Sequence, residues 1–196
     1  GNPGKEYEKT RHNAGRLALE YFRKKHGFPE WEKDSMRTAL VSKGEVGGVS
    51  VELLLPETFM NNSGASIKHL MAGGLTLAAN LIVVHDDVDI PLGSLKIVFD
   101  RGSAGHNGVI SIIQTLGTKK FSSIRIGVAP VDGEGKTKKP KGEEATAKFV
   151  LKKFTATERK KMDEVFEKTS GALLAILKEG KEKAMNQFNQ NLENSK

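Results

Sequence analysis

The sequence predicts an α/β fold, in which a mixed, twisted sheet is surrounded by helices and a helical cover closes the C-terminal end. Short apolar runs of strand length alternate with stretches of helical periodicity, which is the pattern of a sheet between helical layers. The 196 residues are 37% hydrophobic, enough to build the core of one domain. No linker interrupts the first 130 residues, so residues 1–196 are expected to form a single domain.

The N-terminal part of the chain predicts one helix and one β-hairpin. Residues 14–26 follow the opening G-N-P-G turn and carry large apolar side chains on roughly one side, as an amphipathic helix does. Gly27 is expected to end this helix. Residues 38–46 and 49–56 have the composition of strands, and the Gly47-Gly48 pair between them is typical of a hairpin turn.

The middle of the chain predicts two helices and three strands. Residues 63–72 indicate a short helix, and residues 80–85 form a continuous apolar run, typical of a strand buried on both faces. Further strands are expected at 94–99 and 122–129, with a helix at about 107–116 between them. We expect these strands to join the hairpin in one mixed sheet.

Residues 131–146 differ in composition from everything before them. They contain four lysines, three glycines and one proline with hardly any apolar residue, which predicts a mobile basic loop. Beyond this loop, apolar residues at helical spacing predict helices at about 156–178 and 180–192. These two helices form the predicted C-terminal cover.

The net charge of +7 lies in the C-terminal part of the sequence. Residues 1–117 hold 13 basic and 13 acidic residues, whereas residues 118–196 hold 18 basic and 11 acidic residues. A basic region joined to a neutral one indicates that one side of the molecule meets a polyanion. A lysine-rich surface that is merely solvated is the alternative explanation.

Several classes of protein are disfavoured by what the sequence lacks. It has no cysteine, which excludes a disulfide framework, a thiolate metal site and a cysteine nucleophile. No apolar run approaches the roughly 20 residues that cross a bilayer, and no charged-then-apolar leader opens the chain. We therefore expect a soluble, cytoplasmic protein without a membrane partner.

Polar residues follow several of the apolar runs, and in open α/β sheets sites form where strands end. Such residues come after the second hairpin strand, after L-I-V-V-H and after S-L-K-I-V-F. Two more, near the N-terminus, belong to no apolar periodicity and are not needed for a core. The candidate set is two histidines, one carboxylate and three asparagines: His12, His106, Asp86, Asn2, Asn61 and Asn107.

These residue types suit a hydrolytic site. A histidine accepts a proton near neutral pH, and a carboxylate bonded to its other ring nitrogen fixes the tautomer. Asparagine amides can hold a substrate backbone or an oxyanion. The chain has no cysteine and no serine in a G-x-S-x-G turn, so direct attack by water fits better than a covalent intermediate. In that interpretation His12 is the base and Asp86 orients it.

Each candidate also has a purely structural explanation. Asp86, Asp87 and Asp89 can cap a loop, and His106 can bond a neighbouring carbonyl group while Asn107 caps the following helix. The histidine that ends L-I-V-V-H is expected to be structural. The residues alone leave these alternatives open beside the catalytic one.

No metal and no cofactor are expected. The side chains at positions 12, 86 and 106 lack H-E-x-x-H or a comparable ligand spacing. The stretch G-S-A-G-H-N-G, with glycines at 102, 105 and 108, indicates a phosphate loop only weakly, because it has neither the lysine of a P-loop nor the G-x-G-x-x-G order. A nucleotide-binding protein is the hypothesis that rests on those glycines.

Four stretches of the sequence resemble the bacterial peptidyl-tRNA hydrolases. They are G-N-P-G-K-E-Y-E-K-T-R-H-N-A-G, P-E-T-F-M-N-N-S-G, H-D-D-V-D-I-P-L-G and G-S-A-G-H-N-G, in that order. The resemblance continues through R-I-G-V and F-V-L-K-K-F, so it spans nearly the whole chain. It implies a monomeric, metal-independent esterase that cleaves the ester between a peptide and the 3′ end of tRNA, releasing stalled chains for reuse.

The resemblance also implies a role for individual residues. It implies that His12 activates water, that Asp86 orients His12, and that Asn2 contacts the tRNA 3′ end and helps to place His12. Asn61 and Asn107 would grip the peptide backbone, and Asn107 would also order the water. The remaining implied contacts are cleft lining by Tyr7, Met60 and His106, and tRNA phosphate binding by Lys96 and Arg125.

Two features depart from the family pattern. In the family an apolar strand of the L-I-V-G-L kind precedes G-N-P-G and lies inside the sheet, whereas this sequence opens at the turn. The basic loop at 131–146 is also longer and richer in lysine than the family's. If the strand is essential for activity, the alternative function is a non-catalytic basic module that binds tRNA or other RNA.

Overall fold

The strands form two three-stranded sheets, whereas the sequence predicted one mixed sheet. The computed structural model describes residues 1–73, 78–133 and 137–193. The first sheet contains β1 (Glu32–Asp34), β2 (Ala39–Val46) and β3 (Val49–Pro56), antiparallel in the order β1-β2-β3. Gly47 and Gly48 close the β2–β3 hairpin with φ values of 62° and 78°, as predicted, because glycine adopts this backbone region without strain.

The second sheet is the mixed one. It contains β4 (Ile82–Pro91), β5 (Leu95–Phe99) and β6 (Ser122–Ala129) in the order β4-β6-β5. The central strand β6 runs parallel to β4 and antiparallel to β5. Because β6 has a partner on each side and helices over its faces, nearly all of its residues are buried.

The helices pack around the second sheet. They are α1 (Ala14–Lys25), α2 (Asn107–Leu116), α3 (Glu143–Val150), α4 (Ala156–Glu179) and α5 (Lys181–Glu193). α4 packs against α1 and α5, and α5 lies on β5, so the predicted helical cover at the C-terminal end is confirmed. The predicted α/β class is confirmed as well.

Three apolar clusters fix these helices on the sheet. One of them joins α1 and α4 to β6 through Ala18, Val165 and Ile126. Another cluster joins two helices to the second sheet, so α1 and α4 share a core with its strands. Its members include Phe22 of α1, Ile97 of β5, Ile124 of β6 and Leu173 of α4. α2 packs against the Met60–Gly73 segment, and the third cluster contains Ile67, Val109, Ile112 and Phe121. The result is a sheet between helical layers.

A cavity of about 280 Å³ lies between the two sheets. Leu53 of β3 and Val84 of β4 are among its lining residues, and in the described part of the chain each of these strands has a partner on one side only. The sequence predicted a strand buried on both faces at 80–85, but residues 81–84 are only half-buried. As an edge strand among the described residues, β4 is covered less completely than a central strand would be.

Other differences concern where elements begin and end. β4 extends to Pro91 because its parallel pairing with β6 continues past Asp86, so Asp86 lies within the strand and not after it. The short helix expected at 63–72 is a 3-10 segment (Met60–Gly73) with non-helical backbone at Asn62. β1 and α3 were not predicted. The predicted end of that helix at Gly73-Gly74 includes one residue outside the described ranges.

The basic loop contains regular structure where it is described. Val131 forms an isolated bridge with Thr137, and α3 begins at Glu143. Lys139 forms an ion pair of 2.6 Å with Asp89 at the end of β4. None of the helices in the described ranges combines the length and apolar composition that crossing a membrane requires.

Candidate active site

The structure places His12 beside Asp86. His12 lies in a single 3-10 turn, Arg11–Asn13, that leads directly into α1, and Asp86 lies in β4. Nδ1 of His12 is 3.1 Å from Oδ1 and 3.0 Å from Oδ2 of Asp86. An ionised carboxylate only accepts hydrogen bonds, so in the neutral ring Nδ1 carries the proton and Nε2 is the basic nitrogen.

A direct backbone contact between α1 and β4 sets this distance. A methyl group at Gly15 would lie 2.1 Å from the carbonyl oxygen of Val84, so only glycine allows the helix to lie this close to the strand. His12 stands three residues before Gly15, and Asp86 stands two residues after Val84. The contact therefore brings the two side chains together.

His106 is a second imidazole on the same carboxylate. Its Nε2 lies 3.1 Å from Oδ1 of Asp86, and its Nδ1 accepts a hydrogen bond of 3.3 Å from the backbone N–H of Val109. His106 is thereby the N-cap residue of α2. Its ring centroid lies 4.8 Å from that of His12. Asp86 is thus shared between two histidines that come from different elements.

Burial and hydrogen bonding determine which members of this cluster are charged. Burial alone would raise the pKa of Asp86, but the attraction and hydrogen bonds of His106 and His12 hold it well below its usual range. Burial lowers the pKa of His106, and Asp86 offsets this only in part. Burial also lowers the pKa of His85 to about 3. At neutral pH, a charged Asp86 therefore accepts a hydrogen bond from a neutral His106, and the neighbouring His85 is neutral as well.

Asn2 connects the opening turn to the segments that carry the other candidates. Its side-chain oxygen accepts a hydrogen bond of 2.8 Å from the backbone N–H of Met60. Its backbone N–H donates to Oδ1 of Asn13 at 2.6 Å, and Nδ2 of Asn13 donates back to the carbonyl oxygen of Asn2 at 2.9 Å. Because Asn13 directly follows His12, this network links His12 to the turn that bears Asn61.

Arg11 and Asn13, which flank His12, were not predicted from the sequence. Arg11 is buried, and its guanidinium donates to both carboxylate oxygens of Glu158 at 2.7 and 2.8 Å. It also donates to the carbonyl oxygens of Lys152 and Lys153, just before α4. The available signal was T-R-H-N itself, a run of polar residues that adjoins the first helix without belonging to its apolar side.

Asn61 and Asn107 present their side chains to solvent. Both residues are exposed, and neither side chain hydrogen-bonds to another residue in the described ranges. A methyl group at Gly108 would lie 2.5 Å from Sδ of Met60, so the start of α2 touches the Met60 turn. The two amides therefore stand on adjoining segments. Tyr7, in the opening turn, is half-buried.

Lys96 and Arg125 lie opposite each other on β5 and β6. Lys96 is exposed. Arg125 is engaged within the protein: its guanidinium donates to Oδ2 of Asp87 at 3.3 Å and to the carbonyl oxygen of Gly102 at 2.7 Å. Arg125 is thus partly committed to internal contacts, whereas Lys96 has no ion pair with another described residue.

One group among the described residues has the ligand types of a metal site. Ligand atoms of His12, Asp86 and His106 lie within 4.8 Å of one another. In the hydrogen-bonded arrangement, however, the ring nitrogens that face Asp86 carry protons and are not free to bind a cation. Hydrogen bonding to a shared carboxylate accounts for the cluster without a metal.

The site residues come together at the cavity between the sheets. His12, Met60 and His106 all contribute to its lining, and Asp86 joins the two histidines. The structure therefore brings the imidazole of His12, the carboxylate of Asp86 and the segments bearing both exposed amides into one region. An imidazole oriented by a buried carboxylate is an arrangement that can remove a proton from water.

Comparison with known proteins gives a consistent result. A family model described as peptidyl-tRNA hydrolase matches residues 1–196. Curated relatives of that name include one from Syntrophotalea carbinolica, 36% identical over 96% of this chain and 93% of the relative, and one from Koribacter versatilis, 40% identical over 96% and 89%. A crystal structure of peptidyl-tRNA hydrolase from Acinetobacter baumannii is similar with a TM-score of 0.85 and 30% identity, covering 97% of this chain and 91% of that one.

Proposed function

This chain belongs to the peptidyl-tRNA hydrolase family and hydrolyses the ester bond between peptide and tRNA, and from that premise we propose that His12 is the general base that activates the attacking water. The observation that carries the proposal is the contact of 3.0 Å between Nδ1 of His12 and Oδ2 of the buried Asp86. In this contact the carboxylate accepts from Nδ1–H, which fixes the orientation of the ring and leaves Nε2 as the nitrogen that can take a proton.

The reaction then proceeds by direct attack. Nε2 of His12 takes one proton from water while the water oxygen bonds to the ester carbonyl carbon. The carbonyl oxygen becomes an oxyanion, and the imidazolium that forms is stabilised by Asp86. Collapse of the intermediate breaks the bond to the ribose 3′ oxygen, which takes the proton from His12. The products are free tRNA and a peptide with a free carboxyl group.

The exposed amides supply the polar contacts that this reaction needs. Amide groups can donate to an oxyanion or hold a peptide backbone without adding charge. We assign these roles to Asn61 and Asn107, because their side chains are uncommitted and stand on segments that touch each other. Met60 and Tyr7 are assigned to the cleft wall. Asn2 holds Met60 in place, and we assign to it a contact with the 3′ end of the tRNA.

The tRNA is proposed to approach along the edge that carries Lys96. Phosphate contacts by lysine and arginine add affinity without reading base sequence, which suits an enzyme that accepts most tRNAs. Lys96 is exposed beside Arg125, and the excess of basic residues lies in residues 118–196. We further propose that the enzyme acts as a monomer in the cytoplasm, where peptidyl-tRNA from stalled translation arises.

The role of His12 is tested by comparing His12→Ala with the parent protein. Loss of the base is expected to reduce kcat by about 10² to 10⁴ while tRNA binding stays within about twofold. His26→Ala is the matched control, because His26 lies at the far end of α1 and bonds Ser170 at 2.9 Å. Release of labelled peptide from peptidyl-tRNA gives the rates, and circular dichroism confirms folding.

The same assay separates the enzyme from a binding module. A parent protein that binds peptidyl-tRNA without releasing peptide would support the non-catalytic alternative and contradict the hydrolytic role. A His12→Ala protein that cleaves at the parent rate would instead show that another group is the base.

A further inference from the structure

His106 occupies a position where histidine is a poor choice for capping alone. It is the N-cap residue of α2, and its Nδ1 accepts the backbone N–H of Val109. Helix N-caps favour serine, threonine, aspartate and asparagine, whose short side chains reach the same N–H groups. An imidazole adds what those side chains lack, namely a second nitrogen that can donate in another direction.

That second nitrogen donates to the catalytic carboxylate. Because Nδ1 of His106 accepts from Val109, the neutral ring must carry its proton on Nε2, which lies 3.1 Å from Oδ1 of Asp86. The helix start therefore selects the tautomer of His106. Protonation of Nδ1 would cost the capping bond, so the cap and burial both favour the neutral ring.

We infer that His106 is a positioning residue that acts on the reaction through Asp86: it pins the carboxylate and shares its negative charge, and thereby sets how strongly Asp86 attracts the proton of His12. This inference rests on the proposed role of His12 as the base. The side chain of His106 is only 8% exposed, and both of its ring nitrogens are already hydrogen-bonded to other parts of the protein. It has no free polar atom to offer to a substrate.

Other titratable and charged groups also lie next to Asp86 and His106. His85 packs against His106 with ring centroids 4.8 Å apart and the rings tilted by 59°, and its Nδ1 donates to the backbone carbonyl oxygen of Asp86 at 2.8 Å. Asp87 faces Arg125, and Arg125 also acts electrostatically on His85. All of these remain when only residue 106 is replaced, so two replacements at this position can be compared directly.

Two substitutions separate the two bonds of His106. In His106→Asn the side-chain oxygen can still cap Val109, but no donor reaches Asp86. In His106→Gln the amide nitrogen lies near the former Nε2 and can donate to Asp86, whereas the cap is lost. The first variant removes the proposed function of the residue, and the second removes the capping function.

The expected results differ in kind. With one donor gone, Asp86 attracts the proton of His12 more strongly. In the pH profile of kcat/KM, the fall in rate on the acid side should therefore shift to higher pH by about one unit in His106→Asn. On that acid side, this variant is about tenfold slower than His106→Gln. His106→Gln keeps the parent pH profile but loses about 2–4 °C in Tm for the missing cap. NMR titration of ¹⁵N-labelled histidine gives the same comparison for His12 in the free protein.

Two outcomes would overturn the inference. An equal shift of the pH profile in both variants would assign the effect to the loss of the ring's size. An increase in KM without a shift of the pH profile in either variant would make His106 a substrate contact. The NMR titration needs no catalysis. It therefore decides this inference even if His12→Ala shows that another residue is the base.

Discussion

The side-chain oxygen of Asn2 holds the backbone N–H of Met60 at 2.8 Å, although 57 residues separate them in the chain. Both residues are buried, so no water can easily replace the bond. Met60 precedes Asn61, and Asn2 is held in turn by Asn13, the neighbour of His12. Residue 2 thus sets the distance between the proposed base and the amide that is proposed to hold the peptide.

Asn2→Ala should therefore reduce both stability and turnover. The buried N–H of Met60 would lose its acceptor, which lowers the free energy of unfolding by about 1–3 kcal/mol. We also expect kcat to fall, because the turn that bears Asn61 is no longer fixed. Urea denaturation and steady-state kinetics measure the two effects. Asn186→Ala, at an exposed position of α5, is the control, and equal stability of both variants would contradict the prediction.

Asp86→Asn tests the charge of the carboxylate at nearly constant size. An amide cannot stabilise the imidazolium of His12 and does not impose the Nδ1–H tautomer, so kcat should fall by about 10³ to 10⁴. Asp89→Asn, in the same strand but at an exposed site paired with Lys139, should keep the parent rate. A smaller than tenfold loss in Asp86→Asn would argue against its orienting role.

Lys96→Ala tests the proposed path of the tRNA. Removal of one phosphate contact should weaken binding and reduce the slope of log K against log salt by about one. Lys43→Ala, an exposed lysine of β2 in the other sheet, is the matched control and should leave the slope unchanged. Binding of a tRNA at several salt concentrations gives both slopes. Equal slopes for Lys96→Ala and the parent would place Lys96 outside the tRNA interface.

The depressed pKa of His85 predicts a specific pH dependence of stability. The unfolded chain takes up this proton near pH 6.5 and the folded protein only near pH 3. Between these values the unfolded state binds more protons, so the free energy of unfolding falls as pH falls, by about 1.4 kcal/mol per pH unit. His85→Asn should remove that part of the slope between pH 6 and 4. Asp86 does not interfere, since its contribution is lost only below its unfolded pKa near 3.8.

Local signals explain which parts of the fold could be predicted. The β2–β3 hairpin has its own glycine turn, and α1, α2 and α4 have apolar residues at helical spacing, so each of these was predicted with nearly the correct ends. β1 has only three residues, two of them exposed, and pairs because β2 lies beside it. The separation into two sheets depends on which strands meet in space, which no local pattern records.

The site was predicted in part for a similar reason. Polar residues without a role in the core can be identified one by one, and this procedure found the residues that meet at Asp86. Asp86 was expected after its strand, whereas the parallel partner β6 extends β4 beyond it. Arg11 and Asn13 escaped because their importance lies in distant partners: Glu158 stands 147 residues away from Arg11.

The contact between Gly15 and Val84 has a mechanical consequence. With no side chain between helix and strand, there is no soft layer that could absorb motion, so α1 and β4 should move as one rigid unit. Thermal motion elsewhere in the molecule would then leave the distance between His12 and Asp86 unchanged. Binding of a long RNA ligand would leave it unchanged as well.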